Sequence, residues 1–131
     1  MAHGKRVLFV EDDSGLTGAV GRHLRARGHD VRVAASVPEA LAMLVSGFRP
    51  DIVLLDINLP GPSGWDLLRD GSLAGAGSPA VYVVSATPVA PSMLHRLGAA
   101  GVLPKPFAAS TLVAIVEREA GAAVEDTDLL G

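Results

Sequence analysis

Cysteine is absent from the 131 residues, so neither a disulfide framework nor a thiolate zinc cluster can hold this chain together. That absence suits a reducing compartment, and the expected location is cytoplasmic. Aromatic residues are scarce at 4%, so a core must be built from Val, Leu, Ile and Ala. Apolar runs are strand-sized, well short of the roughly 20 residues that cross a bilayer. The opening Met1-Ala2-His3-Gly4-Lys5-Arg6 runs into a short apolar stretch ending in acid, and is not expected to act as a secretory signal. A net charge of −3 supplies no general attraction to nucleic acid or to an anionic membrane, and neither is expected as a direct partner. What the chain does have is 49% hydrophobic residues against 19% charged, with a mean hydropathy of +0.38. That excludes disorder and allows one sizeable core.

Five short apolar runs punctuate the chain: Val7–Val10, Val31–Ala34, Ile52–Leu55, Ala80–Val84 and Gly101–Leu103. Most are rich in β-branched residues, as strands are. The first, third and fourth are continuously apolar, which fits strands covered on both faces of a parallel sheet. Helical spacing lies between them. Leu16, Val20 and Leu24 recur at every fourth position, with Gly28 as a stop. Ser36 and Glu39 form a capping-box pattern ahead of Ala40, Leu41 and Leu44. Trp65, Leu67 and Leu68 follow a Gly61-Pro62-Ser63-Gly64 turn. Pro91 to Leu97 forms a short fourth helix, and Leu112, Ile115 and Val116 mark a last one from about residue 108 to 120. Alternating strands and helices predict an α/β fold: a doubly wound, five-stranded parallel sheet with flanking helices. The expected domain covers residues 1–122, with a flexible tail over 123–131.

Active sites of such sheets lie at the carboxyl ends of the strands. Here the first strand ends in Glu11-Asp12-Asp13, the third in Asp56, the fourth in Ser85-Ala86-Thr87, and the fifth in Lys105-Pro106-Phe107. Each acid or hydroxyl has an ordinary reading by itself. The acidic run could be a solvated loop that caps the next helix, Asp56 a turn residue, Ser85 a local cap, and Lys105 a surface lysine. Their joint placement at four strand ends is harder to explain that way. Two carboxylates about 5 Å apart repel by about 3 kcal/mol at an effective dielectric near 20, so such a cluster calls for a cation. An all-oxygen donor set suits Mg²⁺ shared with a phosphate, and Lys105 adds a second positive charge. A divalent cation, a lysine and a hydroxyl together meet the needs of a transferring phosphoryl group.

These segments, in this order and spacing, resemble the receiver domain of bacterial two-component response regulators over residues of about 5 to 120. Val7 to Asp13 is similar to the family's first strand and acidic pair. Pro50 to Gly64 is similar to its phosphoacceptor segment and following turn, Val83-Val84-Ser85-Ala86 to its switch-hydroxyl strand, and Lys105-Pro106-Phe107 to its lysine followed by a cis-proline. The resemblance implies a flavodoxin-like receiver fold with Asp56 as phosphoacceptor. It implies Mg²⁺ held by Glu11, Asp12, Asp56 and the carbonyl of Asn58, with Asp13 as an extra acid nearby. Ser85 would bond the phosphoryl oxygen, and Lys105 would pair with that group or, without it, with Asp56. The implied donor is a histidine kinase or phosphotransfer protein. The implied output is a downstream protein of unstated identity, reached through protein contacts. Such a protein is not an enzyme in the usual sense, since it catalyses only its own phosphorylation and slow dephosphorylation.

Two positions depart from the family's habit. Val102 stands three residues before Lys105, where Tyr or Phe is common, which implies a readout without an aromatic rotamer switch. Thr87-Pro88-Val89-Ala90-Pro91 carries two prolines, which predicts an extended loop and a short fourth helix. Rival readings fit less well. An aspartyl phosphatase would place its nucleophile after the first strand. A flavin module would want a Ser/Thr/Gly loop there rather than acids. The remaining alternative is a receiver-like interaction module that works without phosphate. The four histidines, His3, His23, His29 and His95, are scattered and expected at the surface.

Overall fold

The computed structural model describes residues 4–69, 71, 73 and 77–120. Five strands run β1 Arg6–Val10, β2 Asp30–Ala34, β3 Ile52–Asp56, β4 Ala80–Ser85 and β5 Gly101–Pro104. Among the described residues, the helices between and after them are α1 Ser14–Ala26, α2 Val37–Val45, α3 Gly64–Arg69, α4 Pro91–Leu97 and α5 Ala109–Ala120. All neighbouring strands are parallel, in the order β2-β1-β3-β4-β5. This is the doubly wound five-stranded sheet that the apolar runs predict. The tail over 123–131 lies outside the described residues.

Side chains alternate across a strand, so β1 and β3 feed two separate cores. Leu8, Val10, Val53 and Leu55 pack with Ala40 and Leu44 of α2 and Leu67 of α3. Val7, Phe9, Ile52 and Leu54 pack with Val20 and Leu24 of α1 and Leu112 and Val116 of α5. Each fully buried Val, Leu, Ile or Phe contributes roughly 1.5–3 kcal/mol of burial free energy. α4 is the exception: it has no buried residue, so the loop before it and the helix itself are weakly anchored. Residues 86–90 form no regular element, consistent with the two prolines. Among the described residues, no helix is long and apolar enough to cross a membrane.

Local signals account for the helix starts. Asp13 caps α1, its Oδ1 accepting the Leu16 N–H at 3.1 Å, so the capping reading of the acidic run holds for that residue. Ser36 caps α2 by accepting the Glu39 N–H at 3.2 Å. Glu39 reaches back to the N–H of Ala35 at 3.0 Å, one residue earlier than the usual partner in a capping box.

His29 corrects the expectation of four surface histidines: it is buried, at 8% exposure. Its Nδ1 accepts the Lys5 N–H at 3.0 Å, and its Nε2 lies 3.1 Å from Glu117 Oε2 on α5. Arg27, at the end of α1, donates to both oxygens of Glu117, at 2.6 and 2.8 Å. These bonds tie the end of α1 and the start of β1 to α5. His23 and His95 are exposed as expected, and His3 lies outside the described residues.

The Arg27 hydrogen bonds, aided by His29, hold the Glu117 carboxyl down to about 2, against an ordinary 4.5. A lowered carboxyl contributes stability that is fully present above 4.5 and is lost as pH falls towards 2. The Glu117 side chain is 34% exposed, so solvent screening reduces its worth to about 0.5–1 kcal/mol. Glu117→Gln is therefore expected to lower stability by about that amount at pH 7 and much less at pH 2.5. Urea melts at the two pH values check this, and an equal loss at both would contradict it.

Candidate functional site

Strand order reverses between β1 and β3. β1 leads outward to β2 on one side, and β3 leads to β4 and β5 on the other. In an open α/β sheet this reversal opens a crevice at the carboxyl ends of the strands. Glu11 and Asp12 follow β1 directly, Asp56 ends β3 and Ser85 ends β4. Lys105 follows β5, and its N–H donates to the Ser85 carbonyl at 2.8 Å, extending the sheet pairing by one residue. The Lys105–Pro106 peptide is cis, as the resemblance implies.

The lysine crosses the crevice. Lys105 Nζ lies 2.7 Å from Glu11 Oε1 and 3.1 Å from Asp56 Oδ2. The other Asp56 oxygen accepts the Asn58 N–H at 2.8 Å. Glu11 Oε2 accepts the Asp13 N–H at 3.2 Å. Glu11 is 1% exposed and Asp56 3% exposed, whereas Asp12 is open to solvent. Burial pushes the Glu11 carboxyl up; Lys105 draws it partly back down, while neighbouring Asp56 adds to the rise. Burial also works against the Lys105 ammonium, but its bonds to Glu11 and Asp56 outweigh that and hold it above its ordinary value. One ammonium thus pairs with two of the three clustered carboxylates, and negative charge is left over.

That surplus fits a hard divalent cation. Glu11, Asp12 and Asp56 can each offer an oxygen within 4.8 Å of the others. Glu11 Oε1 is buried and makes no well-aligned hydrogen bond, despite its ion pair with Lys105. An oxygen-only donor set with a spare buried carboxylate lone pair suits Mg²⁺ better than a softer metal.

Of the site residues expected from sequence, the structure brings Glu11, Asp12, Asp56 and Lys105 together, while Asn58 and Ser85 are placed differently. Asn58 joins through its backbone N–H while its side chain is exposed. Ser85 is buried, and its hydroxyl is turned to its own loop. It donates to the Thr87 carbonyl at 2.8 Å, accepts the Thr87 N–H at 3.0 Å, and lies 3.1 Å from Thr87 Oγ1. Sequence reading missed Thr87 as a partner, although a Ser-x-Thr-Pro run is a local hydrogen-bonding signal. It also missed why Gly64 starts α3. A Cβ there would sit 2.6 Å from the Asp56 carbonyl oxygen, so the helix start approaches the strand end as only glycine allows.

A model of the response regulator receiver domain family matches residues 7–117. The chain belongs to this family. Among curated relatives, it is 37% identical over 113 residues to the DNA-binding response regulator MtrA of Mycobacterium tuberculosis, covering 86% of this chain and 49% of that protein. It is 33% identical over 110 residues to the response regulator MprA of Mycolicibacterium vanbaalenii, covering 83% of this chain and 47% of that one. This receiver chain thus spans about half the length of those relatives. Among solved structures, a CheY-like receiver domain protein from Methanospirillum hungatei superposes with a TM-score of 0.81 at 24% identity, covering 91% of this chain and 95% of the other. The chemotaxis response regulator CheY4 of Vibrio cholerae superposes with a TM-score of 0.78 at 25% identity, covering 88% and 98%. Receiver domains belong to two-component signalling, so the chain is a signalling module.

Proposed function

We propose that this receiver domain accepts a phosphoryl group on Asp56 from the phosphohistidine of a histidine kinase or phosphotransfer protein, in the cytoplasm. The observation that carries the reading is the setting of Asp56. It is a buried carboxylate with one oxygen held by Lys105 and the other by the Asn58 N–H, at the mouth of an acidic cluster. Those bonds fix its orientation and leave the remaining lone pairs free to attack. In the transfer, a bond forms between an Asp56 oxygen and phosphorus. The phosphorus–nitrogen bond of the donor breaks, and the departing imidazole nitrogen takes a proton from solvent. The product is an acyl phosphate, which water can hydrolyse in the same site.

Glu11, Asp12, Asp56 and the Asn58 carbonyl would hold Mg²⁺, which supplies charge neutralisation for the phosphoryl oxygens. Lys105 exchanges its bond to Asp56 for one to the phosphoryl group. Ser85 donates its proton to a phosphoryl oxygen. Output then passes through protein–protein contacts. DNA binding belongs by name to the longer relative MtrA, and nothing in the net charge of this segment calls for it.

Incubation with acetyl phosphate and Mg²⁺ tests the reading. The wild type is expected to gain one phosphoryl group by intact mass, and Asp56→Asn none. Full labelling of Asp56→Asn would move the acceptor elsewhere, and no labelling of either would favour a phosphate-independent interaction module.

A further inference from the structure

We infer that His29 is a pH-sensitive latch at the amino end of the sheet: its neutral ring, with the proton on Nε2, closes onto Lys5, and a second proton opens the start of β1. The tautomer follows from the two partners. A backbone N–H can only donate, so the Nδ1 that meets the Lys5 N–H at 3.0 Å must carry a lone pair. A neutral ring has one proton, which is then on Nε2, and Glu117 Oε2 accepts it at 3.1 Å. The side chain is 6% exposed, so water does not stand in for either partner. Beside the ring, the Lys5 carbonyl accepts the Asp30 N–H at 2.9 Å, which begins the pairing of β1 with β2. Gly4 lies so close to the Gly28 carbonyl that a Cβ there would collide with it, so this stretch has little room to slide aside.

A second proton can enter only at Nδ1. There it faces the Lys5 N–H, two donors meet, and the bond is lost. On the other side it adds charge but no new bond, because the neutral ring already donates to Glu117. Arg27 engages both oxygens of that carboxylate, at 2.6 and 2.8 Å, and its own positive charge opposes a cationic ring. The charged groups around His29 are thus Glu117 from α5, Arg27 from the end of α1, Lys5 from before β1 and, next in the chain, Asp30 at the start of β2. A buried imidazolium whose Nδ1–H has no acceptor is costly. The open arrangement therefore holds one proton more than the closed one, and falling pH favours opening. Lys5 precedes β1 and His29 precedes β2, so the latch lies at the opposite end of the strands from Asp56.

The test is NMR of the full ¹⁵N-labelled chain between pH 8 and pH 5, the range over which a histidine can act as a switch. Ring nitrogen shifts at pH 8 are expected to show the proton on Nε2. As the ring takes its second proton, protection of the Lys5 and Asp30 amides against hydrogen exchange is expected to fall about tenfold, the effect of roughly one net hydrogen bond. The fall should track the ring signals. In His29→Asn nothing titrates at this position, and the step is expected to vanish. If that variant does not fold, the wild-type ring and amide signals decide the matter by themselves. A proton on Nδ1 at pH 8 would overturn the inference. So would a ring that stays neutral down to pH 5, a ring that becomes charged while Lys5 keeps its protection, or a step that persists in His29→Asn.

Discussion

Lys105→Met is expected to destabilise the protein by about 3 kcal/mol at pH 8 without Mg²⁺, and by much less at pH 5. The lysine ammonium offsets two buried carboxylates, Glu11 at 2.7 Å and Asp56 at 3.1 Å. Removing one partner of a buried pair leaves uncompensated charge, and that penalty is larger than the net worth of the pair. The loss depends on pH because Glu11 can take a proton. Its folded value is already raised above 4.5, mainly by burial, so stability present below 4.5 is lost as pH rises through that folded value. Without Lys105 the folded value rises further, which extends the loss to higher pH. Urea melts at pH 5 and pH 8 in the presence of a chelator check this. An equal loss at both would show that Lys105 acts by packing rather than by charge. The same variant is expected to lose at least tenfold in labelling rate by acetyl phosphate, since the phosphoryl group loses its ammonium partner.

Asp12→Ala is expected to remove most of the stabilisation that Mg²⁺ gives the wild type. A ligand that binds only the native state stabilises by about 2.7 kcal/mol when present at roughly 100 times its Kd. Asp12 is the exposed member of the carboxylate trio, so it can meet the ion without a large burial penalty. Without Mg²⁺ the variant should be as stable as the wild type or slightly more so, because one source of repulsion is gone. Thermal melts with and without 10-fold steps in Mg²⁺ separate the two effects. A wild-type response to Mg²⁺ in Asp12→Ala would show that Asp12 is not a ligand.

Much of this architecture is legible in the sequence because its signals are local. β1, β3 and β4 announce themselves as continuous apolar runs, since each is buried on both faces. The short α4 follows from Pro91 and the glycine at its end, Gly98, which adopts a left-handed φ of 76°. Convergence of Glu11, Asp12, Asp56 and Lys105 follows from one rule about strand ends. What the sequence hides is long-range contact. His29 and Glu117 are 88 residues apart, so nothing near His29 marks it as buried. The approach of Gly64 to the Asp56 carbonyl depends on how α3 docks, and a glycine in a Gly-Pro-Ser-Gly turn already has a sufficient local reason. Thr87 is hidden differently. It lies two residues from Ser85, but its bonds emerge only once the loop between the prolines has a conformation.

Phosphorylation is expected to convert Asp56 to an acyl phosphate. Borohydride reduction after phosphorylation tests it most directly, because an aspartyl phosphate is reduced to homoserine and an unmodified carboxylate is not. Wild-type protein is treated with acetyl phosphate and Mg²⁺, reduced, digested and sequenced by mass spectrometry. Homoserine is expected at position 56 and at no other aspartate. Homoserine at position 12 or 13 instead, or a phosphoryl group that survives on a serine or threonine, would contradict it.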